Sequence, residues 1–370
     1  MSKLKMKIEI NNHSYEKEMI YAAIGFRGGF AVNRFILNQE KEFKNNYSFF
    51  NVLFNYLRLQ EKTIGIRFNV FRASSTVSFS SKKEDFIGCL NNMIDTLFDF
   101  EYDTEIFSQA KVETKEKFAK HYKEGAFRAT YKAYEFADLH KGFKLKNLIT
   151  DIENIDFDNF KETAKTLIVT SNVFIYISGD VSHDVFNDLV SLDKYDFNNV
   201  EDVLVSGYEF DPFLRQDSRI INVAREDTNC MVIAYDFINK EVTNFTKLLI
   251  VEMFAESLPL SNINVHIDSF DASMIALVKN LRSYKEDLSS MSEKRFEKSK
   301  SDLLLKYIEL MKNNPEYFVI KATNMILIGV SIEQYLSYID KMDYKMFQDI
   351  CAISDHKISE AQILLSKEVI

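Results

Sequence analysis

Six histidines are scattered over the chain, His13, His121, His140, His183, His266 and His356, and no two lie within five residues of each other. Two imidazoles share a metal ion on one helix face only when they are three or four residues apart, so neither H-x-x-E-H nor its reverse can be written in this sequence. His121 and His140 fall in acidic, helix-like stretches, where a surface ion pair is the ordinary role. The cysteines, Cys89, Cys230 and Cys351, are far apart, form no C-x-x-C pair and leave one thiol over under any pairing. A reducing compartment, the cytoplasm, is expected. Cys89 sits on the apolar side of an amphipathic stretch and is expected to be a buried structural thiol rather than a nucleophile. With only 10 glycines in 370 residues, a Gly-rich phosphate loop is disfavoured.

The charge balance narrows the partners. Asp and Glu number 55 against 46 Lys and Arg, a formal net charge of -9, so a nucleic-acid-binding role is not expected. With 46% hydrophobic and 27% charged residues the chain is globular, and at about 150 residues per domain it holds two domains or one large one. The start, MSKLKMKIEI, carries charges without an apolar core, and the longest apolar runs fall short of the roughly 18–20 residues of a spanning helix. No export signal or transmembrane segment is expected.

The positioning elements follow from periodicity. Strand-like runs at Lys7–Ile10 and Met19–Gly25 stop at Gly28-Gly29, and Tyr47–Leu59 has the spacing of a buried helix. Gly65–Phe71 and Thr76–Phe79 form a hairpin joined by Arg72-Ala73-Ser74-Ser75. Lys83–Phe100 is an amphipathic helix, followed by helices over Asp103–Lys123, Gly125–Leu139 and Asp158–Leu167. A strand at Val173–Ser178 leads through Gly179-Asp180-Val181 into a helix with Val185, Phe186, Leu189 and Val190. Asp193–Pro212 is polar, acidic and aperiodic, and the inter-domain linker is placed at 196–212, between domains at 1–195 and 213–370. The second half repeats the order: strands at Arg219–Val223 and Cys230–Phe237, a helix at Val242–Leu258, strands at Asn264–Asp268 and Ser273–Val278. A helix at Met291–Lys312, with Leu303, Leu304, Tyr307, Ile308 and Met311 on one face, comes next. A helix from Pro315 towards Leu327, another at Asp343–Cys351 and a strand at Ala361–Ser366 finish the chain. The shared plan points to an α+β fold of two homologous α/β domains, each a mixed sheet with helices.

This order resembles the pitrilysin and insulysin type of zinc peptidase, in the branch of short processing-peptidase subunits. Gly65-Ile66-Arg67-Phe68-Asn69 matches that family's G-x-x-x-N step, Thr76 lies near its threonine, and Ile177-Ser178-Gly179-Asp180-Val181 matches its closing turn; Gln362–Lys367 matches the closing strand of the second half. The family carries H-x-x-E-H on the helix after the glycine-ended strand, two histidines and a distal glutamate binding zinc and the motif glutamate activating water. Laid on Tyr47–Leu59, the motif places Ser48 and Val52 at the histidines and Asn51 at the glutamate. Only Glu116 fits, at the distal ligand position, with Gln109 where an acidic residue is usual. The arginine and tyrosine that the second half supplies to substrate have no counterpart between Leu258 and Ile275, and Arg282 and Tyr284 are too close together for the role.

The resemblance therefore implies a degenerate metal site on a kept scaffold, since Phe49, Phe50, Val52, Leu53 and Phe54 stay apolar where ligands are lost. It implies one bowl-shaped half of a peptidase chamber with no cofactor of its own, zinc being expected only in a catalytic zinc peptidase subunit that forms a heterodimer with it. The substrate would be an extended peptide, such as a leader or precursor peptide in bacteriocin or other peptide maturation, held along the strand through Asn69, Val70 and Phe71. The alternatives are a stand-alone homodimer that binds peptides as a chaperone or immunity factor, and a working peptidase with other ligands.

Overall fold

The structure is a computed structural model and describes residues 7–60, 65–124, 127, 147–181, 202–205, 217–223, 228–237, 243–257, 263–268, 273–279, 291–327, 329–354 and 356–367. In chain order come strands β1 (Lys7–Asn11), β2 (Met19–Arg27), β3 (Arg34–Leu37) and β4 (Lys41–Lys44), helix α1 (Phe49–Leu59), and the hairpin β5 (Arg67–Val70) and β6 (Ser74–Lys82). Helices α2 (Phe86–Phe98), α3 (Thr104–His121), α4 (Asn147–Asn154) and α5 (Phe157–Leu167) precede β7 (Val173–Ser178), β8 (Val203–Val205), β9 (Asp217–Val223) and β10 (Thr228–Phe237). Then follow α6 (Asn244–Ser257), β11 (Ile263–Asp268), β12 (Ser273–Lys279), α7 (Glu293–Asn313), α8 (Pro315–Leu327), α9 (Ile332–Lys341), α10 (Tyr344–Ser354) and β13 (His356–Lys367).

Two five-stranded sheets share one topology. The first runs β1-β7-β2-β6-β5 and the second β9-β13-β10-β12-β11. In each, the first pair is parallel, β1 with β7 and β9 with β13, and the other pairs are antiparallel. The fold is thus a mixed α/β duplication, as the repeated plan predicts. A small third sheet, β4-β3-β8, has no equivalent in the second half among the described residues.

The chain divides into two compact units, the first built from Met1–Lys117, Leu148–Tyr208 and Glu309–Leu327, the second from the remaining stretches. Helix α8, from the second half of the sequence, therefore belongs to the first unit and packs on β2, β6 and β7. Small side chains on that face, Ala23, Gly25, Ser74, Thr76 and Ser78, make the close approach possible. A Cβ at Gly25 would lie 2.6 Å from Thr323 Cγ2. The Thr323 hydroxyl donates to the Ala23 carbonyl at 3.4 Å, and the Ser74 hydroxyl to Asn324 Oδ1 at 2.9 Å. On the opposite face, Ile24, Phe26, Val77 and Phe79 are buried beneath α1 and α2, with Phe79 stacked on Phe86 at 5.5 Å.

Several expectations need correction. Ser74 and Ser75 are not turn residues: β6 starts at Ser74 and runs to Lys82, because its serines pair along the whole of β2 and meet α8. The polar stretch around 196–212 contains β8, whose Val203–Val205 pairs with β3. The β3–β4 hairpin went unforeseen because its turn uses Asn38 and Gln39, at φ 53° and 63°, rather than a glycine. Helices α4 and α9 were also missed. Cys89 is half-buried rather than core, whereas Cys351 is buried. Of the face expected on α7, Leu303 and Tyr307 are buried while Ile308 is 43% exposed. Apart from Phe127 and Val181, the helices expected at 125–139 and 181–190, and the Arg282 and Tyr284 positions, lie outside the described residues.

Candidate functional site

Helix α1 begins where Ser48 is tied to α4. The Ser48 N–H donates to Asp151 Oδ2 at 2.8 Å, Asn46 Nδ2 donates to Oδ1 at 3.2 Å, and the Ser48 hydroxyl donates to the Leu148 carbonyl at 3.2 Å. Burial raises the Asp151 carboxyl above its usual range, against the lowering effect of those bonds. A carboxylate at a helix start is otherwise favoured by the exposed N–H groups and the helix dipole.

These contacts place the expected motif residues apart. Ser48 is turned to α4, Val52 is fully buried in the core, and Glu116 is exposed. Gln109 is exposed as well and donates to Glu113 Oε1 at 3.0 Å. The residues of α1 that reach α3 are different ones: Asn55 Nδ2 donates to Thr114 Oγ1 at 2.6 Å, and Arg58 pairs with Glu113. Asn51, one turn before Asn55, keeps its Nδ2 buried without a partner among the described residues. Sequence spacing could have flagged Asn51 and Asn55, which stand i and i+4 on one face, but the contact with α3 was needed to single them out.

None of Ser48, Asn51, Val52, Asn55 and Thr114 supplies the imidazole, thiolate or carboxylate that zinc takes, so these residues do not fit the ion. Among the described residues, no group of three or more His, Cys, Asp or Glu could hold a metal ion. In place of charge there are rings. Phe54, 4% exposed, lies against Phe68 of β5 at 5.0 Å between centroids, and Phe50 contacts Phe26 and Phe54 at 6.5 and 6.0 Å. Gly28, at φ 113°, ends β2 beneath them, and a Cβ there would lie 2.5 Å from the Phe50 ring.

Among the described residues, strand β5 is an edge of the first sheet. Two bonds fix which of its backbone groups face outward. Phe71 N–H donates to the Ser74 carbonyl at 2.8 Å and Gly28 N–H to the Ala73 carbonyl at 2.9 Å. With the register Asn69↔Thr76 and Arg67↔Ser78, alternation turns the backbone groups of Arg67 and Asn69 toward β6 and those of Phe68 and Val70 outward. Of the three expected peptide contacts, only Val70 thus offers its backbone at the open edge. Asn69 is occupied within the sheet, and the Phe71 carbonyl accepts the Phe30 N–H at 2.9 Å. Thr76 is fully buried, with its hydroxyl unpaired among the described residues.

The second unit has a matching helix contact. Where α1 meets α3 through Asn55–Thr114 and Arg58–Glu113, α6 meets α7 through Glu252–Tyr307 and Glu256–Lys306. Glu252 is buried and accepts hydroxyl bonds from Tyr307 at 2.8 Å and from Tyr335 at 2.6 Å. Burial, with the adjacent carboxylate, pushes the Tyr335 phenol well above its ordinary value, which keeps it a donor.

With this geometry in place, comparison with known proteins gives the fold a class. No protein-family model matches the sequence, and no curated protein matches it. Solved structures do. A protein from Alicyclobacillus acidocaldarius described as an M16-like peptidase aligns over 98% of this chain and 97% of its own with a TM-score of 0.77 and 10% identity. A protease from Helicobacter pylori aligns over 98% and 97% at 0.68 and 9% identity. A peptidase M16 inactive domain from Pseudomonas fluorescens aligns over 100% and 98% at 0.63 and 10% identity. The fold is that of the M16-like peptidases. Among the described residues, no helix is long and apolar enough to cross a membrane.

Proposed function

We propose that this chain is a non-catalytic M16-like subunit that holds an extended peptide for a catalytic zinc peptidase partner, in the cytoplasm. The observation that carries the reading is the chemistry of the α1–α3 contact. Aligned on that contact, the motif would put its two histidines at Asn51 and Asn55, its glutamate at Phe54 and its distal ligand at Thr114, three residues later on α1 and two earlier on α3 than the alignment from the sequence alone. Amides and a threonine hydroxyl are poor zinc ligands, and phenylalanine cannot take a proton from water. The packing of Phe54 on Phe68 supports loss of the base with retention of the wall, because apolar filling removes the desolvation penalty that unpaired ligands would leave. The resemblance to a neighbour described as an inactive domain points the same way.

The test is reconstitution with a chain of the same fold that carries H-x-x-E-H. The expected result is a stable 1:1 complex in which peptide cleavage exceeds that of the partner alone, while this chain alone cleaves nothing. A homodimer that binds peptide without any such partner would favour the chaperone or immunity role. Zinc-dependent cleavage by the isolated chain would overturn both.

A further inference from the structure

Resting on the peptide-holding reading, we propose that the open edge of β5 selects extended peptides with the pattern apolar–polar–apolar, the two apolar residues seated beside Phe68 and Val70. Three observations lead there. The outward backbone groups belong to Phe68 and Val70, so an added strand forms its hydrogen bonds at those two residues. The footprint ends there, since at the next outward position, Arg72, the carbonyl already accepts the Ala31 N–H at 2.9 Å.

Side chains of paired residues on adjacent strands lie on the same face. Phe68 and Val70 share the face of Val77, Ile24 and Phe26, where Phe68 meets Phe54. Peptide residues opposite them come to rest against an aromatic and aliphatic wall. The residue between points to the other face, beside Asn69 and the Arg67–Glu316 pair, in which Arg67 is 71% exposed. A polar or acidic residue suits that position. The alternation is dictated by the pleat, so the same residues in a different order do not fit.

The experiment uses the full chain and two labelled, unstructured synthetic peptides of one composition. One places Leu and Phe two apart with Asp between, and the other places Leu and Phe side by side. Fluorescence anisotropy is expected to show the alternating peptide binding about tenfold more tightly. Val70→Pro removes an outward N–H at an edge position that tolerates proline, and is expected to weaken binding of the alternating peptide while leaving the circular dichroism spectrum and melting unchanged. Phe68→Ala is expected to erase the difference between the peptides. Equal binding of both peptides by the wild type overturns the pattern while leaving peptide holding intact. Preference that survives both substitutions places the contact elsewhere and overturns the assignment to β5. Failure of both peptides to bind, alone or with the catalytic partner present, overturns the pattern and the peptide-holding reading together.

Discussion

Asn172, wholly buried between α5 and β7, stands in for a missing length of strand. Its Oδ1 accepts the Arg27 N–H at 3.1 Å, and its Nδ2 donates to the carbonyls of Arg27 at 3.2 Å and Leu167 at 2.9 Å. Arg27 is itself held over the Phe174 ring and donates to the Val203 carbonyl at 3.0 Å, so one amide supports the junction of the first sheet with β8. Asn172→Ala strands a backbone N–H and two carbonyls, and is expected to destabilise by roughly 2–3 kcal/mol in urea unfolding. Asp151 makes a prediction of opposite sense. Folding raises its pKa from an ordinary 3.8, so its contribution to stability is present below that pH and fades as pH rises through the folded value. Asp151→Asn, whose Oδ1 can still accept the Ser48 N–H while its Nδ2 donates to an Asn46 amide turned over to accept, is expected to flatten the urea midpoint between pH 4 and 7. A wild type that gains stability over the variant as pH rises through this window would refute the sign.

At the scale of elements, α1 and α8 carry the argument. Grafting tests the register of α1: Asn51→His, Phe54→Glu, Asn55→His and Thr114→Glu together are expected to create a zinc site measurable by calorimetry. Histidines at Ser48 and Val52 with Glu at Asn51 are expected to bind none, since Val52 is core and Ser48 faces α4. The seat of α8 is tested at its closest approach, where Gly25→Ala is expected to lower stability by about 1–3 kcal/mol and Thr323→Ser, which removes the opposing methyl, to recover part of that loss. Long periodic elements such as α1, α2 and α7 were legible because their apolar spacing is set by burial on one side. The pairing of Val203–Val205 with β3 was not, since a three-residue strand carries almost no period. Likewise, nothing in the spacing of α1 distinguishes Ser48 from Asn51 as a motif position. The choice depends on Thr114, which is 59 residues from Asn55 in the chain.

For the whole molecule, the decisive feature is that the two units are not the two halves of the sequence. Glu309–Leu327 belongs to the first unit, and Phe118–Asn147 belongs to the second. A polypeptide of residues 1–205 lacks the helix that covers Ala23, Gly25 and Ser74, and is expected to fail to give a cooperative melting transition alone and to regain one when residues 206–370 are supplied in trans. An independent transition for 1–205 would contradict that. The reciprocal loan also bears on heredity. A recombination that traded one half for a relative's would have to trade the borrowed helix with it, or leave a polar floor fitted to a vanished guest. Two lobes joined in this way can change only under mutual constraint, each holding part of the other's floor in place.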